Sequence, residues 1–102
     1  MTDILKPDAC ATMIDVRRGV DEVDRRIVAL LAERFGYMRA AARIKPERGH
    51  VRDEARKAQV IASARAEADR LGAPGSVIAA LWEQLVEESI AYEMAEFDRL
   101  RG

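Results

Sequence analysis

The sequence predicts an all-α protein with three helices per chain (long, short and long) and no strands. Three observations carry that expectation. The 102 residues are 49% apolar but 5% aromatic and 34% charged, a mix rich in Ala, Arg and Glu that favours helices over sheets. The apolar residues keep i, i+3/i+4 spacing through long segments. Proline and glycine punctuate the chain at only a few places, around Pro46 and at Ala73-Pro74-Gly75-Ser76.

Residues 1–10 contain Pro7 and no periodicity, and are expected to form a flexible arm. Residues 11–102 are expected to be one domain, since a chain this short supports one core and not two. From Ala11 to Ile44 the pattern is helical without interruption, through Ile14, Val20, Val23, Ile27, Leu30, Leu31, Met38, Ala41 and Ala42. About 34 residues make roughly 50 Å of helix, longer than a compact monomer of this size can cover. An obligate, intertwined homodimer is the economical solution. Lys45-Pro46 ends the helix, because proline disfavours the helical conformation in the residue before it. Residues 46–52 read as a loop.

Asp53 is a good N-cap for a second helix running to Leu71 along Val60, Ile61, Ala64 and Ala68,. Gly72 ends it in the left-handed conformation that glycine tolerates. Pro74 or Ser76 opens the third helix, which runs to about Leu100 through Val77, Leu81, Leu85, Val86, Ile90 and Phe97.

Bulk properties exclude several functions. A net charge of −1 with interspersed signs lacks the one-sided basic excess of a nucleic-acid interface. No run approaches the ~18 apolar residues of a membrane span, and the N-terminus does not read as a signal peptide. One cysteine, Cys10, precludes an internal disulfide and fits a reducing cytoplasm,. With His50 the only histidine, no zinc site is expected,.

Six polar residues stand out of place: Arg17, Arg34, Lys45, Arg56, Ser89 and Glu93. A charge on a core-facing position costs several kcal/mol unless it is paired, so their repetition points to a pocket for a small anion with more than one carboxylate. Arg34 and Lys45 lie eleven residues apart, about three turns, and point the same way,; the alternative is that their stems snorkel to water. Arg17 lies roughly 25 Å before Arg34 on a face turned by about 100°. On a straight helix it is either solvated beside Arg18 or swings into the pocket of an antiparallel partner chain. In the third helix Trp82, Val86, Ser89, Glu93, Phe97 and Leu100 form a coiled-coil-like seam,. Ser89 alone can be a back-bonded hydroxyl. Glu93, buried, must be protonated or paired, with Arg34 or Lys45 as the candidate cations. Arg56 sits in the first turn of the second helix, flanked by Arg52 and Lys57.

The run Asp15-Val16-Arg17, Asp21, Asp24, Ile27-Val28, Leu30-Leu31, Glu33-Arg34, Tyr37, Ala41-Ala42 and Lys45 resembles the first helix of the all-helical chorismate mutases. It is equally similar to that of the isochorismate pyruvate lyases. Val51-Arg52-Asp53-Glu54-Ala55-Arg56 looks like the loop and second-helix start of the mutases, and Glu88-Ser89 through Glu93 like their third-helix site. The resemblance implies a homodimer with two shared pockets and a small dicarboxylate substrate, chorismate or isochorismate, and no cofactor or metal. Arg17 would come from the partner chain; Arg34 and Arg56 would bind carboxylates. Lys45 would contact the ether oxygen and a carboxylate, and Ser89 would help hold a carboxylate. The backbone around Asp53 would meet the ring hydroxyl, and Glu93 would face the ether oxygen. Two positions depart from the mutase pattern: Glu93 stands where glutamine is usual, and Lys57 where a glutamate contacts the ring hydroxyl.

The expected function is a chorismate mutase of aromatic amino-acid biosynthesis, rearranging chorismate to prephenate by a pericyclic [3,3] shift. That reaction requires no nucleophile, and Lys45, Arg34 and Glu93 are its expected catalytic residues. The alternatives are a lyase giving salicylate and pyruvate from isochorismate, and a non-catalytic helical dimerisation module.

Overall fold

The computed structural model describes residues 4–102, so the first three residues of the expected arm lie outside it. The described residues form three α-helices, α1 (Met13–Ile44), α2 (Glu54–Leu71) and α3 (Gly75–Arg101), and contain no strand. Two short 3-10 helices, Pro7–Ala9 and Arg48–His50, stand where no regular structure was expected. The chain divides into two compact units, one reaching Arg34 and the other Phe35–Gly102, and α1 runs through the boundary.

In the first unit, α1 begins two residues later than the apolar periodicity implies, and the cause is local. Thr12 Oγ1 accepts from the Asp15 amide at 3.1 Å, while Asp15 Oδ2 accepts from the Thr12 amide at 3.2 Å and from Ala11 at 3.1 Å. This reciprocal box satisfies amides that a helix start otherwise leaves open. The same bonds, Ala11's first, hold the Asp15 carboxyl below its usual range. The described part of the arm lies along α1, where a Cβ added to Gly19 would stand 3.8 Å from the Leu5 carbonyl. Arm and helix border a groove lined by Leu5, Pro7, Cys10, Val16, Val20 and Val23. Most of the apolar stripe of α1 stays open to solvent in the single chain: Ile14, Val20, Val23, Ile27, Val28 and Leu30 keep between 47% and 65% of their exposure.

The second unit has a core. Ala42, Val51 and Phe97 form a buried cluster with Ile90 and Met94 packed on it. Burying a side chain such as Phe97 contributes about 1.5–3 kcal/mol. Val51 explains why the segment before α2 stays close: it inserts from the loop into that cluster. Asp53 Oδ1 caps α2 by accepting from the Arg56 amide at 3.0 Å, as its position before the helix predicts.

The exit from α2 is a Schellman pair, Gly72 N–H to Asp69 O at 3.2 Å and Ala73 N–H to Ala68 O at 2.8 Å, with Gly72 at φ 74,. α3 then starts at Gly75, with Pro74 as an N-cap that makes no side-chain bond. Gly75 leaves room there for the Asp69 and Arg65 side chains of α2, since an added Cβ would displace the Asp69 carboxylate and meet Arg65 Cγ at 3.3 Å. On α3 the buried residues are Val86, Ser89, Glu93 and Phe97, the middle of the seam read from the sequence. Its ends are less covered, with Trp82 half-buried and Leu100 exposed.

Candidate active site

The second unit joins Lys45 to Glu93. Lys45 ends the last turn of α1, where its amide still donates to Ala41 O at 2.9 Å. Its Nζ donates to Glu93 Oε2 at 2.7 Å. The carboxylate side chain is 5% exposed and the lysine 30%, so the anion is buried while water still reaches part of the cation. Of the two cations considered for Glu93 on sequence grounds, the structure gives Lys45 as a partner. A buried pair of this kind is held by charge-assisted hydrogen bonding, and removing one member strands the other.

One turn earlier on α3, Ser89 is 3% exposed and its Oγ donates to Leu85 O at 2.7 Å. That is the back-bonding expected of a helical serine. The bond uses the hydroxyl's only proton, leaving Oγ as an acceptor unless the rotor turns.

At the start of α2, Arg56 is exposed and its Nη1 donates to Gln59 Oε1 at 2.6 Å. Its neighbours are not merely solvated. Arg52 makes a two-pronged pair with Glu87, at 3.1 and 2.8 Å, and Lys57 Nζ meets Glu87 at 2.8 Å and Glu83 at 2.6 Å. Arg52's hydrogen bond, then that of Lys57, draws the Glu87 carboxyl down to about 2, and the bonds Lys57 donates to Glu83 and Glu87 raise its own pKa. On an ideal helix Glu83 and Glu87 are turned by about 120° from Ser89 and Glu93. The Lys57 ammonium is thereby committed to a different face of α3 from the one bearing the buried polar residues.

Arg17 and Arg34 belong to the first unit, Arg17 exposed and Arg34 half-buried on α1. Asp53 is exposed, its carboxylate engaged in the α2 cap.

The sequence reading missed two neighbours of the site. Tyr92, beside Glu93, accepts from Arg39 Nη1 at 2.9 Å and meets Phe35 edge-on at 4.9 Å between ring centres. Arg101 reaches back from the end of α3 to donate to Ala42 O at 3.0 Å and Lys45 O at 2.7 Å. No local pattern marks either contact. Pro46 was the one available signal for the second, since it leaves a carbonyl of α1 without a helical donor.

Chemically, a partly accessible ammonium on a buried carboxyl can stabilise negative charge developing on a bound oxygen. The carboxyl can add a hydrogen bond of its own only when protonated.

Residues 16–94 match the chorismate mutase type II family. The chain is also 26% identical over 96 residues to an isochorismate pyruvate lyase of Pseudomonas aeruginosa, an alignment covering 94% of this chain and 95% of that one. Lys45, Arg56, Ser89 and Glu93 all fall within the matched span, as do Arg17 and Arg34. With most of its length in that match, the chain belongs to the chorismate mutase type II family.

Proposed function

We propose that the chain is a chorismate mutase, converting chorismate to prephenate without a cofactor, with residues 11–102 acting as one domain of a homodimer. The observation that carries this reading is the Lys45–Glu93 pair at 2.7 Å: a cation held in place by a carboxyl that solvent barely touches. In the [3,3] shift one C–O bond of the enolpyruvyl ether breaks as a C–C bond forms, and negative charge grows on the ether oxygen. Lys45 donates to that oxygen, and Glu93 faces it as a donor when protonated. Fixed donors of this type are worth more than mobile water because they need no reorganisation as charge develops.

Arg34 and Arg56 bind the two carboxylates, Ser89 assists once its hydroxyl turns from Leu85, and the backbone near Asp53 meets the ring hydroxyl. Arg17 enters from the second copy. The exposed apolar stripe of α1 supports such a dimer, because contiguous apolar surface of this kind marks an interface. No described helix is long and apolar enough to cross a membrane; a cytoplasmic location and a place in aromatic amino-acid biosynthesis belong to the same proposal.

A second reading, isochorismate pyruvate lyase, is favoured by two observations. One is the relative of that name. The other is Lys57, which stands where the mutases carry their hydroxyl-contacting glutamate and is bound to Glu83 and Glu87. The deciding experiment incubates purified protein separately with chorismate and isochorismate and identifies the products. Prephenate from the first supports the mutase. Salicylate and pyruvate from the second, without prephenate from the first, replace it with the lyase. Turnover of neither substrate overturns both and leaves a non-catalytic dimerisation module.

A further inference from the structure

We infer that Arg101 is a positioning residue for Lys45, supplying to the end of α1 the hydrogen-bond donor that Pro46 takes away; the inference rests on Lys45 acting as proposed above. In a continuing helix the carbonyl of Ala42 would accept from the amide four residues on. That residue is Pro46, which has no N–H,. Ala42 is completely buried, so water is a poor substitute and an unsatisfied carbonyl there would be costly. Arg101 Nη1 fills the gap at 3.0 Å.

The second prong matters more for function. Arg101 Nη2 donates to the carbonyl of Lys45 itself at 2.7 Å. The Lys45 amide is still held by Ala41 O at 2.9 Å, but the residue precedes a proline and is biased away from the helical conformation, so α1 does not hold its carbonyl. The guanidinium fork holds that carbonyl instead and so completes the anchoring of the backbone from which the Lys45 stem departs towards Glu93. The fork is itself held, with its carbon 3.6 Å from the centre of the buried Phe97 ring, a cation–π arrangement that restricts its freedom. A cation at a helix C-terminus also meets the negative end of the helix dipole. Arg101 lies outside residues 16–94 of the family match and touches nothing that would react.

The test uses the full chain and the substrate it turns over, with Arg101→Ala, Arg101→Lys, Lys45→Ala and the Arg101→Ala/Lys45→Ala double variant. Arg101→Ala is expected to lower kcat/KM about 10- to 100-fold, the scale of a misplaced catalytic group, at a temperature where it remains folded by circular dichroism. Arg101→Lys, which keeps the charge but not the fork, recovers part of that loss. Amide hydrogen exchange should quicken at Ile44 and Lys45 but not through the middle of α3. On the Lys45→Ala background, Arg101→Ala should cost less than about twofold more, because an effect transmitted through Lys45 has nothing left to act on.

Equal losses on both backgrounds, or exchange quickened throughout α3, would make Arg101 a general stabiliser and overturn the inference. If Lys45→Ala is inactive while Arg101→Ala stays within about twofold of the parent, positioning fails and the function of Lys45 stands. If Lys45→Ala keeps full turnover, both fall. Should Arg101→Ala not fold, Arg101→Lys decides alone, since unchanged activity and unchanged exchange at Lys45 refute the fork.

Discussion

The two units of the chain differ in how far their side chains reach for partners. In the unit from Phe35 to Gly102, charges find partners across helices: Lys45 with Glu93, Arg48 with Asp98, and Arg52 and Lys57 with Glu87. Phe97 and Val51 are covered there at 6% and 4% exposure. In the unit ending at Arg34, Ile27 and Leu30 are 47% and 63% exposed, and the described ion pairs, Glu22 with Arg25 and Arg26, are made within one helix. The second unit has a small covered core, although Tyr37, Ile44, Leu71, Val77, Leu81 and Leu100 stay exposed on it. The first leaves its whole apolar stripe largely open in the single chain. Apolar stripes gain stability only against a partner surface, and this one has its pattern without its cover.

The largest effect expected from breaking that contrast is at its best-defined pair. Lys45→Ala should lower kcat/KM by about 10²–10³, the loss typical of a fixed donor to a developing oxyanion. It should also destabilise the fold by about 3 kcal/mol because Glu93 is left buried and unpaired. Steady-state kinetics and urea unfolding separate the two effects. Mixing this variant with an inactive Arg17→Ala variant should restore about a quarter of the wild-type sites by random pairing in a two-fold dimer. No recovery after demonstrated subunit exchange would mean that each site is made by one chain.

Next comes the open face. If a second copy covers α1, Ile27→Asp should shift the protein to monomer in sedimentation velocity and cost several kcal/mol of stability, the penalty of a buried unpaired charge. At a truly solvated position the same change stays within about 0.5 kcal/mol. The second result would remove the proposed interface.

A smaller effect concerns acid. Arg52 and then Lys57 draw the Glu87 carboxyl from 4.5 to about 2. A depressed carboxyl contributes its stability in full above pH 4.5 and loses it as pH falls towards 2,. Urea midpoints should therefore decline over that window, and Glu87→Gln should flatten the decline while weakening the protein at neutral pH. An identical acid limb in the variant would show that the clamp contributes nothing. Least of all should Arg48→Ala matter. That pair is 58% and 52% exposed, and exposed pairs contribute under about 1 kcal/mol.

The same contrast explains what could be read from the sequence. The helices and their punctuation were legible because they are local. Lys45-Pro46 stops α1, Asp53 caps α2, Gly72 takes the left-handed turn, and Val86, Ser89, Glu93 and Phe97 recur with the helical period that buries them. Glu93 was legible as a charge in an apolar seam, and its need for a cation followed. The choice of partner was open because spacing orients Arg34 and Lys45 alike on α1 without locating α3. Arg52 and Lys57 could be read only as cations flanking Arg56, since Glu83 and Glu87, which hold them from α3, share no periodicity with them. The fork of Arg101 joins residues 59 and 56 positions apart, beyond any window over which a sequence pattern repeats.

The Lys45–Glu93 pair has a consequence for the thermodynamics of ligand capture. The lysine's charge is answered by a carboxylate of the same chain. A dianion entering there competes with Glu93 for the ammonium and places like charge beside a buried carboxylate, so capture exchanges one ion pair for another and gains less than a free ammonium would give. Glu93→Gln, which removes the competing charge and keeps the shape, should therefore tighten binding of a dianionic ligand measured by calorimetry.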